Sequence, residues 1–303
     1  MAAGTHTIPA TPASIHERFA IRHQTFDSIA VIGLGAIGGS LAWGARLAGV
    51  TRVIGHAPDP CDAEAAERAG AVTELALTPE SAVAHARLVV LAAPPAATLE
   101  LIDRLAGHLA AGAVLSDVAS VKVGVLAQAC ASGLQRSFAG AHPLAGTHGS
   151  GFASAAPELL RGCVVYVCST GESGRAAAER VAAFWATVLK AKPVFLDAGE
   201  HDRRLAWTSH LPQAVASALA RALADRDDAS EFGTGARDTT RLAASSPTLW
   251  ADIFLQNRDA ILPALDAVDG RLRALRDLID RRDARGLDAF LESASAFRRG
   301  LDR

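Results

Sequence analysis

Lysine is scarce in this sequence, and no part of it carries a concentrated positive charge. Lys122, Lys190 and Lys192 are its only lysines, none of them belongs to a basic run, and the formal net charge of the 303 residues is −2. Proteins that bind nucleic acid or anionic membranes usually present a basic patch to the phosphates. The composition therefore gives no electrostatic reason to expect a nucleic-acid or membrane partner.

Long apolar segments and paired cysteines are also missing. No segment approaches the roughly 20 apolar residues of a membrane span, and Met1–Gln24 has no apolar core of signal-peptide length. The cysteines show neither a CxxC pair nor metal-ligand spacing, which is typical of free thiols in a reducing compartment. We therefore expect a cytoplasmic protein without a metal site, and we interpret residues 1–27 as a loose N-terminal extension. The four cysteines are Cys61, Cys130, Cys163 and Cys168.

The first two thirds of the chain alternate short apolar runs with Ala-rich helical stretches. Half of all residues are hydrophobic and a fifth are charged, and the length suffices for two domains. Short continuous apolar runs are typical of parallel strands covered on both faces. We predict a Rossmann-like, doubly wound, mostly parallel sheet over residues 28–197. The predicted strands are Ile29–Ile32, Arg52–Gly55, Leu88–Ala92, Val114–Ser116, Ser137–Gly140, Val164–Val167 and Pro193–Leu196, and the predicted helices are Asp62–Ala69, Ala97–Leu109, Val121–Ala131 and Gly174–Leu189.

After Asp197 the pattern becomes helical. No further strand pattern occurs, and apolar residues recur at three- and four-residue spacing. We predict an all-helical domain over residues 198–303. Helices rich in Ala and Leu pack closely and often form subunit interfaces, so we expect a homodimer through this domain. The predicted helices are Gly199–Arg226, Thr248–Leu265, Gly270–Arg282 and Arg285–Leu301.

A glycine-rich loop separates the first predicted strand from the helix that follows it. In GLGAIGGS the first glycine permits a tight turn, the second lets a pyrophosphate approach the backbone, and the third lets helix and strand pack closely. Phosphates would then lie over the N-terminus of the helix, which favours anions. In this position the motif is a strong sign of dinucleotide binding. The residues assigned to the cofactor are Gly33, Gly35, Ile37 and Gly38 of the loop, and Ala93 and Pro94 after the third predicted strand.

The end of the second predicted strand discriminates only weakly between NAD and NADP. Asp59 lies near the position of an acid that would bind the adenosine ribose, whereas Ala57 stands where such an acid commonly falls. No arginine follows closely enough to clamp a 2′-phosphate. We predict NAD or NADP as cofactor, with Asp59 favouring NAD.

Two segments that follow predicted strands carry polar residues suited to chemistry. Ligands of doubly wound sheets bind outside the carboxyl ends of the strands, where Ser120 would lie near the nicotinamide. Ser120 could also cap the helix that follows, and the two roles are compatible.

His142 precedes Pro143 at a strand end, and histidine can accept a proton or hydrogen bond from a hydroxyl that becomes a carbonyl. We predict that His142 is catalytic; the alternatives are a loop histidine bonded to backbone and a metal pair with His148, which lacks a third ligand.

The helical half supplies two further candidates, His210 and Arg241. His201 and His210 are nine residues apart, about half a turn out of phase on an α-helix, so we expect that one helix face cannot hold both. Pro212 lacks an N–H and should kink the helix near Thr208, where His210 could point into a binding site instead of lying on the surface. Arg241 could fork onto both oxygens of a substrate carboxylate. The alternative to this role is that Arg241 is an ordinary surface arginine or is paired with an acidic residue.

Five segments, in this order, resemble the prephenate/arogenate dehydrogenase family. They are GLGAIGGS (33–40), DVASVK (117–122), HPLAGT (142–147), SHLPQ (209–213) and TRLAASSPTLWADIFLQN (240–257), and the likeness runs from about Ser28 to about Asn257. Any one segment alone is suggestive, but five with these spacings are highly specific. The resemblance implies a nucleotide-binding domain, a helical dimerisation domain and a role in tyrosine biosynthesis.

The resemblance also implies a reaction and roles for residues. Hydride leaves C4 of a cyclohexadiene for NAD or NADP, the ring carboxylate leaves as CO2, and prephenate becomes 4-hydroxyphenylpyruvate or arogenate becomes tyrosine. By analogy, His142 hydrogen-bonds the 4-hydroxyl, Ser120 orients it, and Arg241 binds a substrate carboxylate. Thr147 and His210 would line the pocket, with Asp238 and Trp250 in its surroundings.

One position departs from the family pattern. The residue after Thr147 is often acidic in members that prefer prephenate, and here it is His148, which we include among the substrate-binding residues. Arogenate carries an ammonium where prephenate carries a keto group. The changed charge could therefore shift the substrate preference in either direction.

Two other functions are alternatives. A β-hydroxyacid dehydrogenase would share the dinucleotide loop but uses a catalytic lysine on a helix after the first domain, and no lysine follows Lys192. A non-catalytic NAD-binding sensor would keep the fold without the chemistry, whereas Ser120, His142 and Arg241 together indicate an enzyme.

Overall fold

A computed structural model of the chain describes residues 26–146, 149–225 and 232–301. The chain divides into a first unit, Met1–Ala119 with Val125–Asp197, and a second unit, Ser120–Gly124 with Ala198–Arg303. Of the predicted N-terminal extension, residues 1–25 lie outside the described residues. Phe26 is buried in the core of the first unit, where it contacts Phe184 edge-on, so this core begins before Ser28.

The first unit contains one eight-stranded sheet in the order β3-β2-β1-β4-β5-β6-β7-β8. Strands β1 to β6 run parallel, β7 is antiparallel to β6, and β8 is parallel to β7. The strands are β1 (Ser28–Ile32), β2 (Arg52–His56), β3 (Glu74–Leu75), β4 (Leu88–Leu91), β5 (Val114–Asp117), β6 (Phe138–Pro143), β7 (Val164–Ser169) and β8 (Lys192–Phe195). The predicted Rossmann-like, mostly parallel sheet is confirmed.

The burial of each strand explains which strands the sequence could predict. Every residue of β1, β4 and β5 is buried, because helices cover both faces of the sheet, and these strands are continuous apolar runs. Strand β3 has only two half-buried residues and no apolar run, so it was missed. Strand β8 tolerates Pro193 because it lies at the edge of the sheet.

In the part of the first unit that the structure describes, six helices of five to thirteen residues connect these strands. Helix α2 begins two residues before its predicted start because Asp59 caps it and Pro60 opens it. The short α3 was not predicted. The helices are α1 (Ala36–Leu47), α2 (Pro60–Arg68), α3 (Pro79–Val83), α4 (Pro95–Leu105), α5 (Val123–Ala131) and α6 (Arg175–Thr187).

The second unit is helical, as predicted, but the helix boundaries differ. Its elements are α7 (Ala198–Leu205), a π-helical turn (Ala206–His210), α8 (Leu211–Ala224), α9 (Thr234–Thr240), a 3-10 turn (Arg241–Ala244), α10 (Pro247–Gln256), α11 (Arg258–Asp280) and α12 (Ala284–Leu301). A helix break was predicted between residues 265 and 270; this was wrong, because the chain turns at Asn257 and α11 continues through Gly270. No helix in the described ranges is long and apolar enough to cross a membrane.

Where a kink was predicted near Thr208, the structure has the π-helical turn. Pro212 has no N–H to offer the carbonyl of Thr208, four residues earlier. The N–H of Leu211 instead donates to the carbonyl of Ala206, which is the i→i−5 bond of a π-helix. His210 is the last residue of this turn.

Candidate active site

The glycine loop after β1 has the geometry of a nucleotide-binding turn. Gly33 has a φ of +100°, and a Cβ there would lie 2.3 Å from the carbonyl oxygen of Ala92. A Cβ on Gly38 would lie 1.9 Å from the carbonyl oxygen of Gly33, so the helix can approach the strand only without a side chain. No atom lies within 4 Å of the position of a Cβ on Gly35. The backbone at Gly35 is therefore open to a ligand.

The N-terminus of α1 is suited to an anion. Its N-cap, Gly35, provides no side-chain hydrogen bond, and the first turn contains no acidic residue. The amide groups of the first turn and the helix dipole therefore favour negative charge, and Ile37 lies half-buried in this turn. Ala93 and Pro94 follow β4, which lies beside β1 where the strand order changes direction. Dinucleotides bind at this point of a doubly wound sheet, so these residues fit the pyrophosphate of such a cofactor.

Asp59, the candidate for the ribose, has a structural role at the start of α2. Its carboxylate accepts a hydrogen bond from the N–H of Cys61 at 2.9 Å, as the N-cap. Strand β2 ends three residues earlier at His56, whose Nδ1 lies 3.0 Å from the carbonyl oxygen of Ala76. The ribose-binding role of Asp59 therefore stays a prediction. A test of it must distinguish the effect of the negative charge on cofactor binding from the effect of the N-cap on the stability of α2.

Replacing Asp59 with asparagine should weaken NAD binding and bring the KM values for NAD and NADP closer together. Asparagine caps helices as well as aspartate does, so this variant removes the charge and keeps the cap. Asp59→Ala should shift the cofactor preference equally and also cost about 1 kcal/mol of stability through loss of the cap. Cofactor titrations and thermal melts of both variants check this. An unchanged NAD/NADP ratio in both would show that the backbone around His56 and Ala57 sets the preference.

His142 lies within β6 and not after it. The strand extends three residues past its predicted end, and all six of its residues are buried. Because β1, β4, β5 and β6 are parallel, His142 lies at the same edge of the sheet as the glycine loop. Across the antiparallel ladder it faces Tyr166 of β7. His142 is 8% exposed, so its side chain is largely shielded from solvent.

Ser120 is not the cap of helix α5. The helix begins at Val123, and its leading amide groups are bound by the carboxylate of Asp202 from α7. Oδ1 of Asp202 accepts from the N–H of Lys122 at 2.8 Å, and Oδ2 accepts from the N–H of Val123 at 2.9 Å. The alternative role of Ser120 as an N-cap was therefore wrong, since a residue about 80 positions away in the chain provides the cap. Ser120 is half-buried just before this anchored segment.

His210 is fully buried in the second unit. Its Nδ1 lies 2.9 Å from Nδ2 of Asn257, and its ring meets that of Trp250 edge-on at 5.9 Å. Burial lowers the pKa of His210 to about 4; the charge of Asp202 opposes this shift and His201 adds to it. Within the described ranges, Nε2 of His210 has no hydrogen-bond partner. The imidazole is therefore neutral near pH 7, and the hydrogen-bonding capacity of Nε2 is unused within the described ranges.

His201 contradicts the expectation from helical phase. It is also fully buried, with its Nδ1 2.7 Å from Oδ1 of Asp202, and its charge reaches His210. The expectation that His201 and His210 cannot share one side was wrong because it assumed α-helical rotation throughout. The last four intervening residues and His210 form the π-helical turn, in which each residue rotates the chain less.

Arg241 begins the 3-10 turn after α9 and is exposed. It lines a groove of about 490 Å³ together with Asp238 and apolar side chains that include Pro212 and Val268. Among the residues that the structure describes, no ion pair or hydrogen bond of the Arg241 guanidinium is found. This argues against the ion-paired alternative but not against a surface arginine, so the substrate-binding role of Arg241 stays a prediction.

The structure thus groups the candidates by unit. The glycine loop, Ala93, Pro94 and His142 lie along one edge of the sheet in the first unit. In the second unit, Asp202 and Asn257 connect the segment after Ser120 to His210. Thr147 and His148, which the sequence placed at the substrate, lie outside the described residues.

Comparison with known proteins extends these observations to most of the chain. Residues 43–194 match the family model of the prephenate dehydrogenase nucleotide-binding domain, and residues 197–293 match that of the prephenate dehydrogenase dimerization domain. The chain is 32% identical over 293 residues to the prephenate dehydrogenase of Bacillus subtilis (strain 168), covering 92% of this chain and 77% of that protein. It is 32% identical over 283 residues to the cyclohexadienyl dehydrogenase of Zymomonas mobilis, covering 89% of this chain and 95% of that protein.

A similar structure has also been solved with ligands. The prephenate dehydrogenase from A. aeolicus, in complex with hydroxyphenyl propionate and NAD+, has a TM-score of 0.85 and 27% sequence identity to this chain. The likeness covers 92% of this chain and all of that one (100%).

Proposed function

Because this chain belongs to the prephenate dehydrogenase family, we infer that it oxidatively decarboxylates prephenate to 4-hydroxyphenylpyruvate with transfer of a hydride to NAD or NADP. It is a nicotinamide-dependent oxidoreductase with a Rossmann-type nucleotide-binding domain, and its reaction belongs to tyrosine biosynthesis. Arogenate, which would give tyrosine directly, is the second candidate substrate, since a relative similar over 89% of this chain is a cyclohexadienyl dehydrogenase.

The position of His142 carries the assignment of roles. His142 is the second-last residue of β6, whose carboxyl end lies at the sheet edge that also presents the glycine loop, and ligands of doubly wound sheets bind outside this edge. We assign to His142 the hydrogen bond from the 4-hydroxyl and the proton of that hydroxyl as the oxygen becomes a carbonyl. Ser120 would orient the same hydroxyl.

The rest of the reaction needs little protein chemistry. The bound nicotinamide supplies the acceptor for the hydride from C4. When the carbon–carbon bond to the ring carboxylate breaks, its electron pair enters the ring and the C4 oxygen takes the proton back from His142, so the product is a phenol and CO2. Aromatisation drives this step, and the enzyme mainly positions groups and polarises the hydroxyl. Arg241 and His210 would bind the anionic substrate, and Thr147 and His148 are the other substrate-binding residues that the sequence predicts.

An absorbance assay of nicotinamide reduction tests the proposed function. Prephenate and arogenate are each offered with NAD and with NADP, and the products are identified by chromatography. We expect reduced nicotinamide in equal amount to CO2, with the highest kcat/KM for prephenate and NAD. Turnover of a β-hydroxyacid without CO2 release would favour the first alternative function, and cofactor binding without turnover of any substrate would favour a sensor.

We further propose that the enzyme is a homodimer through its helical unit and works in the cytoplasm. All four cysteines are free thiols, which a reducing compartment maintains. Helix α12 has no buried residue, and Leu291 and Phe297 on it are 57% and 70% exposed. Apolar surface of this kind is typical of an interface. The matching family model of this region describes a dimerization domain.

Sedimentation equilibrium should give the mass of two chains, and Phe297→Arg should shift the equilibrium toward the monomer. A charge placed in an apolar interface would lose its hydration without gaining a partner. Leu77→Arg is the matched control, because Leu77 is 96% exposed in the first unit. A monomer in the parent protein, or equal effects of the two substitutions, would contradict dimerisation through this helix.

A further inference from the structure

A buried polar network in the second unit surrounds His210, and its other members have no role in the chemistry described so far. It consists of His201, Asp202, His210 and Asn257, none of which is more than 4% exposed. Buried polar groups are costly unless they are hydrogen-bonded, and a satisfied network fixes its members in one arrangement. The contacts of Asn257 determine the orientation of its own amide and the tautomer of His210.

The orientation of the Asn257 side chain follows from its partners. One side-chain atom of Asn257 lies 2.9 Å from the backbone carbonyl oxygen of Asp202 and 2.9 Å from Nδ1 of His210. A carbonyl oxygen can only accept a hydrogen bond, so the atom that faces it must be the NH2 group. The two hydrogens of that group then serve the carbonyl of Asp202 and Nδ1 of His210.

This orientation fixes the tautomer of His210. Because Nδ1 accepts a hydrogen bond from Asn257, it carries no proton, and in a neutral imidazole the proton must be on Nε2. Nε2 is buried and has no acceptor among the described residues. His210 therefore presents one N–H donor whose acceptor a bound substrate would supply.

Asp202 connects the same network to the segment after Ser120. Its carboxylate accepts hydrogen bonds from the N–H groups of Lys122 and Val123, and Oδ1 also accepts from Nδ1 of His201. Its backbone carbonyl accepts from Asn257. Asn257 itself stands at the turn between α10 and α11, where its N–H donates to the carbonyl of Ile253 and its side chain points inward.

We propose that Asn257 is a positioning residue of the dehydrogenase reaction, which holds His210 as the Nε2–H tautomer so that this nitrogen donates a hydrogen bond to an oxygen of the substrate. This inference rests on the proposed function, because it takes the substrate to be an oxyanion-bearing cyclohexadiene. A neutral donor recognises such an oxygen without gaining or losing a proton. Asn257 acts through His210 and need not touch the substrate.

Asn257→Asp tests the proposal because it keeps the shape and reverses the hydrogen bond. A carboxylate at this position can only accept, so Nδ1 of His210 must carry a proton. In the neutral ring Nε2 would then be unprotonated, so only the doubly protonated ring would still donate a hydrogen bond from Nε2. The negative charge also raises the pKa of His210 above its value in the parent.

The pH profile should therefore change in a defined direction. In the parent, the titration of His210 should cause no pH dependence of the KM for prephenate between pH 6 and 9, since its pKa is about 4. In Asn257→Asp this KM should be lowest at acidic pH and rise about 10- to 100-fold as pH increases through the raised pKa. Asp202 and His201, whose charges reach His210, are unchanged in the variant, and α10 presents the uncharged ring of Trp250 to it.

A spectroscopic measurement tests the same point without activity. In long-range 1H–15N spectra of histidine-labelled enzyme, the His210 signals are identified by their loss in His210→Asn. We expect the Nε2–H tautomer in the parent and a proton on Nδ1 in Asn257→Asp. If the parent has a different tautomer, the inference is wrong, whether or not prephenate is turned over. If the parent turns over neither candidate substrate, the proposed function fails and the spectra still decide the tautomer.

Control variants separate positioning from folding. Gln256→Glu also exchanges an amide for a carboxylate, one residue away, and should leave the pH dependence of KM as in the parent. Asn257→Ala removes the donor without adding charge, so it should raise the KM for prephenate at every pH and leave the KM for NAD unchanged. A parental KM for prephenate in both Asn257 variants, or an equal loss of NAD and prephenate binding, would overturn the proposal.

Discussion

Replacing His142 with asparagine should lower kcat by about 10²–10⁴ while the KM for NAD stays near its parental value. Asparagine approximates the size of the imidazole and can form a hydrogen bond, but it cannot hold the proton of the substrate hydroxyl. The loss should therefore appear in the transition state, where the oxygen becomes a carbonyl, and not in cofactor binding. Steady-state kinetics with saturating NAD, together with a direct titration of NAD, measure the two effects separately.

The burial of His142 makes a folding control necessary. Thermal melts must show that the variant keeps its sheet, because His142 lies inside β6. His108→Asn provides a matched control, since His108 is an exposed histidine beyond α4 whose Nδ1 lies 3.1 Å from a backbone carbonyl oxygen. It should keep parental kcat. Activity of His142→Asn within a few-fold of the parent would remove His142 from the mechanism.

The sheet could be predicted because its signals are local. Buried parallel strands are short apolar runs, and seven of them stand out between helical stretches, whereas β3, with two half-buried residues, leaves no such pattern. The antiparallel direction of β7 left no local sign either. In the helical unit, the break at Asn257 was missed because Pro247–Asp280 is helix-forming on both sides of it, and only packing decides where the chain turns.

The residues of the candidate site were likewise predictable only where their contacts are local in the sequence. The glycine loop was predictable because Gly33 and Gly38 are required by an atom a few positions away or by the end of the adjacent strand, and Gly35 leaves the backbone open to a ligand. The capping of α5 by Asp202 joins residues about 80 positions apart, and the bond between Asn257 and His210 spans 47 positions. Contacts between residues so far apart leave no periodic pattern in the sequence. The expectation that one helix face cannot hold both His201 and His210 assumed regular α-helical rotation. Pro212 indicated that the helix is irregular, but the sequence did not show that the irregularity is a π-helical turn.

Arg241 is the remaining residue on which a large effect is expected. Its guanidinium is exposed at the rim of an otherwise mostly apolar groove, and within the described part of the chain it has no ion pair. An arginine in this position can fork onto both oxygens of a carboxylate, which gives direction as well as charge. A bidentate contact made while a bound substrate excludes water from the groove would be stronger than an exposed ion pair.

Arg241→Ala should raise the KM for prephenate on the order of 10²-fold, corresponding to a truncation cost of about 2–3 kcal/mol, and leave the KM for NAD almost unchanged. Arg241→Lys keeps the charge and loses the fork, so it should remain markedly impaired. Arg237→Ala is the matched control, because it removes an exposed guanidinium one turn earlier on α9 that does not line this groove. Long-range electrostatic attraction alone would make the Arg237 and Arg241 variants alike and would let lysine restore activity. Parental KM values in both Arg241 variants, for prephenate and for arogenate, would show that the substrate carboxylate is bound elsewhere.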